Sequence, residues 1–278
     1  MRLKQKKTGM AKIDTAFFDL SKLEEMANND TIIHRIDPRI KVLVASIFVL
    51  CVVSFHKYTI SAILPFCLFL IIVMGLAEIP AFFLLKKIVL VSPFAVMVGI
   101  FNPLFDQQPI MVLGAITITG GCVSFVSILL RFGLCVGAVF VLIASTGFNT
   151  ICLAMVKLGM PKIFAVQLLM LYRYIFVLIE EGLRMYQAMT LRTFHGRAIA
   201  MKTYMHLAGQ LLLRTLDRAQ RIHLAMLCRG FDGNIRIRQS LRMARLDLFF
   251  LAVSFAILLL MRCYNIPAMF GRLITGIT

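Results

Sequence analysis

The chain has 278 residues, 60% of them hydrophobic, with a mean hydropathy of +0.89. That is more apolar than a soluble core requires and excludes a water-soluble class. A formal net charge of +17 points to an anionic membrane surface or a nucleic acid as partner, so the placement of the charges has to decide.

Residues 1–39 mix the basic start Arg2, Lys4, Lys6 and Lys7 with short apolar groups such as Phe17, Phe18 and Leu20. They read as an N-terminal segment, helical, lying on the membrane surface or on the protein. The first apolar run begins only near Ile40, too far behind the basic start for a secretory signal.

Runs at 40–55 and 59–77, joined by His56, Lys57 and Tyr58, form a membrane hairpin, since each approaches the roughly 20 residues of a spanning helix. Pro80 and the pair Lys86 and Lys87 separate the second run from a third at 88–105, in which Pro93 is expected to make a kink. The stretch 106–130 has no Lys or Arg, whereas the loops around Lys86 and after Lys157 are rich in them. The positive-inside rule puts the former outside and the latter in the cytoplasm. A fourth span is expected at 127–147 and a fifth, short one at 246–261. The expected fold is all-α, with five transmembrane helices, the N-terminus inside and the C-terminus outside. It divides into an N-terminal cytoplasmic segment (1–39), a membrane domain holding spans one to four (40–148), a cytoplasmic domain of long amphipathic helices (149–245), and the fifth span with its tail (246–278).

In span four, Arg131 is read either as a functional charge or as a side chain reaching the outer interface. Nearby Gly133 and Gly137 make a G-x-x-x-G step at which another helix can approach closely.

Residues 149–245 read as too polar to span. From Lys157 to Arg245 there are 15 Lys and Arg against Glu180, Glu181, Asp217 and Asp232, a local balance of +11. Lys202, His206, Gln210, Arg214, Arg218 and Arg221 recur at three and four, with Met205, Ala208, Leu212, Leu216, Ala219 and Ile222 on another face, which predicts an amphipathic helix. A more apolar helix is predicted from Pro161 to about Leu191. Both finish on one pattern 37 residues apart, with Ala188, Met189, Arg192, Phe194 and Gly196 matched by Ala225, Met226, Arg229, Phe231 and Gly233. An Arg in a last turn followed by Gly is an ordinary helix end. Two copies also suit two equivalent sites on a symmetric partner, where an arginine enters a groove and makes charge-assisted bonds.

The chain resembles the transmembrane T component of energy-coupling factor importers, particularly the Q subunit of cobalt/nickel systems. The resemblance covers nearly the whole length. It rests on His34-Arg35-Ile36-Asp37-Pro38-Arg39-Ile40-Lys41, Leu158-Gly159-Met160-Pro161, Tyr172-Arg173-Tyr174, Glu180-Glu181, and Leu213-Arg214-Thr215-Leu216-Asp217-Arg218-Ala219 running to Cys228-Arg229-Gly230-Phe231. The family's Ala-Arg-Gly type triplets read here Leu191-Arg192-Thr193 and Cys228-Arg229-Gly230, so both arginines stay and the preceding Ala is replaced twice. The resemblance implies a non-catalytic subunit in the cell membrane. Arg192 and Arg229, with Ala188, Ala225, Thr193, Gly230, Phe194 and Phe231 around them, would dock into two ATP-binding cassette subunits. Those subunits would bind ATP and Mg, while apolar helix faces including Leu212 and Leu216 would hold a substrate-binding membrane subunit.

The absences agree with that division of labour. No G-x-x-x-x-G-K-[ST] phosphate loop occurs, so the ATPase must be a partner. His34, His56, His195, His206 and His223 are dispersed, and no metal site or catalytic residue is expected in this chain. Seven scattered cysteines, Cys51, Cys67, Cys122, Cys135, Cys152, Cys228 and Cys263, form no C-x-x-C pair and read as small hydrophobes. Glu78 and Asp247 sit at span ends, without the intramembrane carboxylates of a proton-coupled carrier. A lipid-modifying membrane enzyme is the rival reading, and a nucleic-acid or lipid-surface binder a third.

Overall fold

The computed structural model describes residues 24, 26–27, 31, 33–56, 59–105, 109–113, 116–192, 201–232 and 245–263. Most of the expected N-terminal segment (1–39) and the C-terminal tail lie outside them. The described chain forms nine helices: α1 Pro38–Val53, α2 Ile60–Leu76, α3 Ala81–Gly99, the short α4 Asn102–Phe105, α5 Gly120–Thr146, α6 Phe148–Lys157, α7 Lys162–Arg192, α8 Met201–Cys228 and α9 Arg245–Cys263. One antiparallel hairpin, β1 Pro109–Leu113 and β2 Ile116–Thr119, pairs Leu113 with Ile116 and Val112 with Thr117. It departs from the otherwise all-helical expectation, and it pairs backbone where the sequence suggested an outer loop.

The chain is a multi-pass α-helical membrane protein. By length and composition α3, α5, α7 and α9 can each cross a bilayer. Helices α1 and α2 have 16 and 17 residues, about 24 and 26 Å at 1.5 Å per residue, and so form a hairpin somewhat shorter than the hydrocarbon. Two expectations need correction. Residues 149–245 are not uniformly too polar to span, because α7 is apolar and long enough, whereas α8, at 28 residues, is long enough but not among the helices that qualify. The third span does not start after Lys86 and Lys87. Pro80 sets the start of α3 at Ala81, so both lysines lie inside the helix, with Lys87 Nζ 5.3 Å from the Phe83 ring centre one turn back. The same helix runs through Pro93 and ends at Gly99, where Asn102-Pro103 opens α4.

Two compact units result, one from Leu23–Ala154 with Leu241–Thr278 and the other including Met155–Ser240. In the first, α1, α2, α3 and α9 gather on or beside α5. Phe48, Val52, Ile63, Phe66, Leu134, Ala138 and Leu258 form one apolar cluster, with Cys51, Cys67 and Cys135 packed against it as small apolar groups. The Phe48 ring stacks on Phe69 at 5.6 Å and meets Phe66 edge-on at 5.8 Å.

The glycines singled out in span four serve this packing. A Cβ at Gly137 would come 2.9 Å from Leu70 Cδ2 and 3.6 Å from Ile88 Cδ1, and one at Gly133 would stand 3.8 Å from Ile88 Cγ2. The helices that approach them are therefore α2 and α3 of the same chain.

Arg131 also gains a definite role. Its Nη2 donates to the His56 carbonyl, and Arg262 Nη2 donates to the Ser54 carbonyl at 3.2 Å and to Ser54 Oγ at 3.1 Å, with its guanidinium 4.2 Å from the Phe55 ring centre. Two arginines from α5 and α9 thus close the C-terminal end of short α1, where carbonyls have no helical partner.

We expect Gly137→Leu to lower stability by about 1–3 kcal/mol through overpacking, while Gly133→Ala leaves it nearly unchanged. Thermal unfolding of the two purified variants in mild detergent measures the difference.

Candidate functional site

The second unit is built around α7 and α8. They meet where Glu181 Oε1 accepts from Arg214 Nη1 at 2.7 Å and where Gly182, lacking a side chain, faces Leu211 Cδ2. Glu181 Oε2 also accepts from Arg184 Nη2 at 2.8 Å, one turn along α7. Such exposed pairs are screened by solvent and contribute little to stability, so they fix register more than they hold the helices together. Burial does more. Leu207, Leu211, Thr215, Ile222 and Met226 form the half-buried stripe of α8, at the spacings of four and seven that keep one helix face inward.

The N-terminal half of α7 and the C-terminal half of α8 line one open cleft of about 1040 Å³, with Val166, Met170, Ile222, Met226 and Phe231 giving it apolar walls and Arg218 and Arg221 a basic edge. The helices therefore run antiparallel, and their C-terminal ends lie at opposite ends of the pair. From the Glu181–Arg214 contact, Arg192 is eleven residues along α7, about 16 Å, and Arg229 is fifteen along the chain from Arg214, about 22 Å.

Arg192 is the last residue of α7 and is exposed, next to Leu191, which is 80% exposed. Arg229 is exposed just past Cys228, the last residue of α8. Among the described residues neither guanidinium is engaged by a hydrogen bond or ion pair. Ala188 and Ala225, one turn earlier, are exposed too. Thr193 and Phe194, like Gly196, His195 and Gly233, lie outside the described residues.

The two ends differ in how they stop. At α8, Gly230 has φ +79, its N–H donates to Leu227 O at 2.9 Å, and the Phe231 N–H donates to Met226 O at 3.0 Å. This pair of bonds is the Schellman closure. It turns Phe231 back to line the same cleft as Met226 and leaves Arg229 at the tip. The residue after Arg192 is Thr193, so α7 has no glycine in the corresponding place.

The apolar face of α8 named from the sequence stays open within this unit. Met205, Ala208, Leu212, Leu216 and Ala219 are exposed, Leu212 by 59% and Leu216 by 51%, while only Ile222 of that set is half-buried. Helix α8 thus carries two apolar stripes. The one through Leu211 meets α7, and the one through Leu212 and Leu216 stays open, a distinction that one-dimensional periodicity averages away.

The sequence reading missed a polar cluster in the membrane unit. Lys41 Nζ donates to Ser145 O at 2.9 Å and His34 O at 3.3 Å, and the Asp37 N–H donates to Asp247 Oδ1 at 3.2 Å. The signal lay in Asp37-Pro38, a helix cap followed by proline at the first position, with a lysine three residues on. No group of three or more His, Cys, Asp or Glu suited to a metal ion occurs among the described residues.

Residues 29–241 match the family model CbiQ, cobalt transport protein. The chain belongs to the CbiQ cobalt transport protein family. An uncharacterized protein of Methanocaldococcus jannaschii is 28% identical over 247 residues, covering 84% of this chain and 83% of its own length. A second from the same organism is 29% identical over 111 residues, 39% of this chain and 41% of its own. A protein of Methanocorpusculum labreanum named as a fused cobalt transport protein, CbiMQ, is 28% identical over 102 residues, 36% of this chain and 17% of its own. The CbiQ match takes in α1 through α8, and so both arginine-bearing helix ends.

Because nothing crowds a side chain at Gly230, its substitution tests backbone strain alone. Gly230→Ala should cost about 1–2 kcal/mol through the left-handed conformation. It should speed hydrogen exchange at the amides of residues 230 and 231 while the middle of α8 stays protected.

Proposed function

We propose that this CbiQ-family chain is the non-catalytic coupling subunit of an ATP-driven importer of the energy-coupling factor type, serving cobalt or nickel uptake in the cell membrane. Two ATP-binding cassette subunits, which bind the ATP and Mg, supply the energy. A separate membrane subunit carries the substrate. The N-terminus and the α7–α8 pair face the cytoplasm, in keeping with the +11 balance between Lys157 and Arg245.

The observation that carries this reading is the pair of exposed arginines at opposite ends of two antiparallel helices. One chain then offers two separated docking points, as two ATPase subunits require. Each arginine enters a groove on one ATPase and makes charge-assisted, bidentate bonds there. When the ATPases close on ATP, the two tips are moved together. The helices pivot about the contact at Gly182 and Leu211, and the open stripe through Leu212 and Leu216 changes its presentation to the substrate-binding subunit. The chain lacks a phosphate loop, so in this scheme it transmits motion and hydrolyses nothing.

Truncating one side of a buried charge pair costs about 2–5 kcal/mol, enough at two sites to abolish docking. Affinity purification from the native membrane, wild type beside Arg192→Ala plus Arg229→Ala, gives the test. The wild type should bring down ATP-binding subunits and support ATP-dependent uptake. The double variant should insert normally yet lose both by at least tenfold. A double variant that transports normally would reduce the paired arginines to helix ends and defeat the reading.

A further inference from the structure

Three helix ends of the membrane unit converge on buried charge. Asp37, Lys41 and Asp247 are only 5%, 7% and 5% exposed. Asp37 caps α1, its Oδ1 accepting from the Arg39 N–H at 2.9 Å, and Lys41 stands in the first turn of the same helix. Asp247 belongs to the first turn of α9, and Ser145, whose carbonyl receives the Lys41 ammonium, belongs to the last turn of α5. The carboxylates of Asp247 and Asp37 both act electrostatically on Lys41. The remaining oxygen of Asp37, Oδ2, is buried without a hydrogen-bond partner among the described residues.

Charge removed from water in this way is tolerated only when paired, and shifting one partner strands another. Apolar side chains would pack in several registers. This set of donors and acceptors fits one arrangement of the α1, α5 and α9 ends.

The position of these residues along the chain gives the arrangement a consequence. Ser145 comes shortly before Met155, where the chain enters the α7–α8 unit, and Asp247 shortly after Ser240, where it leaves. The outgoing segment is thus tied to Lys41 and the returning one to the Asp37 N–H, both in or beside the first turn of α1. A pull on α7 and α8 travels along both segments. If their membrane ends are locked, α5 and α9 must move as rigid bodies; if they are free, the pull is absorbed in the first turns.

We infer that the Asp37–Lys41–Asp247 cluster is a positioning device that converts movement of α7 and α8 into movement of the membrane helices, an inference resting on the coupling-subunit reading. Lys41 supplies the central charge and holds the end of α5, Asp247 holds the start of α9 on the Asp37 N–H, and the Asp37 carboxylate adds a second negative charge that acts on Lys41.

The test uses the complex purified from its native membrane and reconstituted in liposomes. It records ATP hydrolysed and uptake of Co²⁺ and, separately, Ni²⁺. Lys41→Met plus Asp247→Asn removes the lysine and one of its two opposed carboxylates together, leaving the net charge of the cluster unchanged. This variant should keep its ATPase partners and a thermal midpoint near that of wild type, while uptake per ATP hydrolysed falls at least tenfold. Asp37→Asn keeps the helix cap and disturbs the fold least, and should lower the same ratio at least threefold. A purely structural cluster would change the thermal midpoint and the amount of complex, but not the ratio. Either variant coupling within twofold of wild type would overturn the inference while leaving the coupling-subunit reading intact. A wild-type complex without ATPase partners or ATP-dependent uptake of either ion would overturn both.

Discussion

In hydrocarbon a backbone carbonyl without a partner costs several kcal/mol, and much of the architecture answers that constraint. Helices satisfy their own interiors and leave their ends open. Here basic side chains from neighbouring helices close several of those ends. Arg131 and Arg262 reach the carbonyls of His56 and Ser54 beyond α1, and Lys41 reaches the carbonyl of Ser145 at the end of α5. With α1 running one way, α5 the other and α9 parallel to α1, basic groups close helix ends at both faces of the bundle. Just past the short α1, Ser54 and His56 are thus met by arginines rather than by a further turn of helix.

The α7–α8 unit follows a different logic. Its inner contact is a narrow apolar stripe and a partly exposed ion-pair set around Glu181, neither of which makes the pair rigid by itself. Such a pair can change its angle about Gly182 without breaking a large core, whereas the membrane unit, with its buried aromatic cluster and charged helix ends, resists deformation. A compliant pair carrying the arginine tips and a stiff membrane bundle are suitable parts for transmitting motion.

Much of this was legible in the sequence, and what was not has physical reasons. The two long helices ending at Arg192 and near Arg229 could be read from their three-and-four spacing, and the CbiQ family from stretches such as Asp37-Pro38-Arg39 and Leu213 to Ala219. The start of α3 was misplaced because Lys86 and Lys87 look like the edge of a span, although a helix may project beyond the membrane and rest its lysine on a phenylalanine. The polarity of α7 was overestimated because the basic excess of its neighbourhood belongs mainly to α8 and the segments after it. The split of α8 into two apolar stripes and the cluster around Lys41 depend on which helix stands opposite, and a single chain's periodicity carries no record of that. Arg131 was undecided for the same reason, its partner being 75 residues away.

The central claim is that Arg192 and Arg229 sit in two different partner subunits at once. The direct measurement places a photo-crosslinking amino acid at each position, singly and together, and irradiates the native membrane. The account predicts a crosslink to an ATP-binding subunit from each single variant, and one chain joined to two such subunits from the doubly substituted one. Crosslinks only to lipid, or two positions that compete for one subunit without ever yielding the doubly joined product, would contradict it.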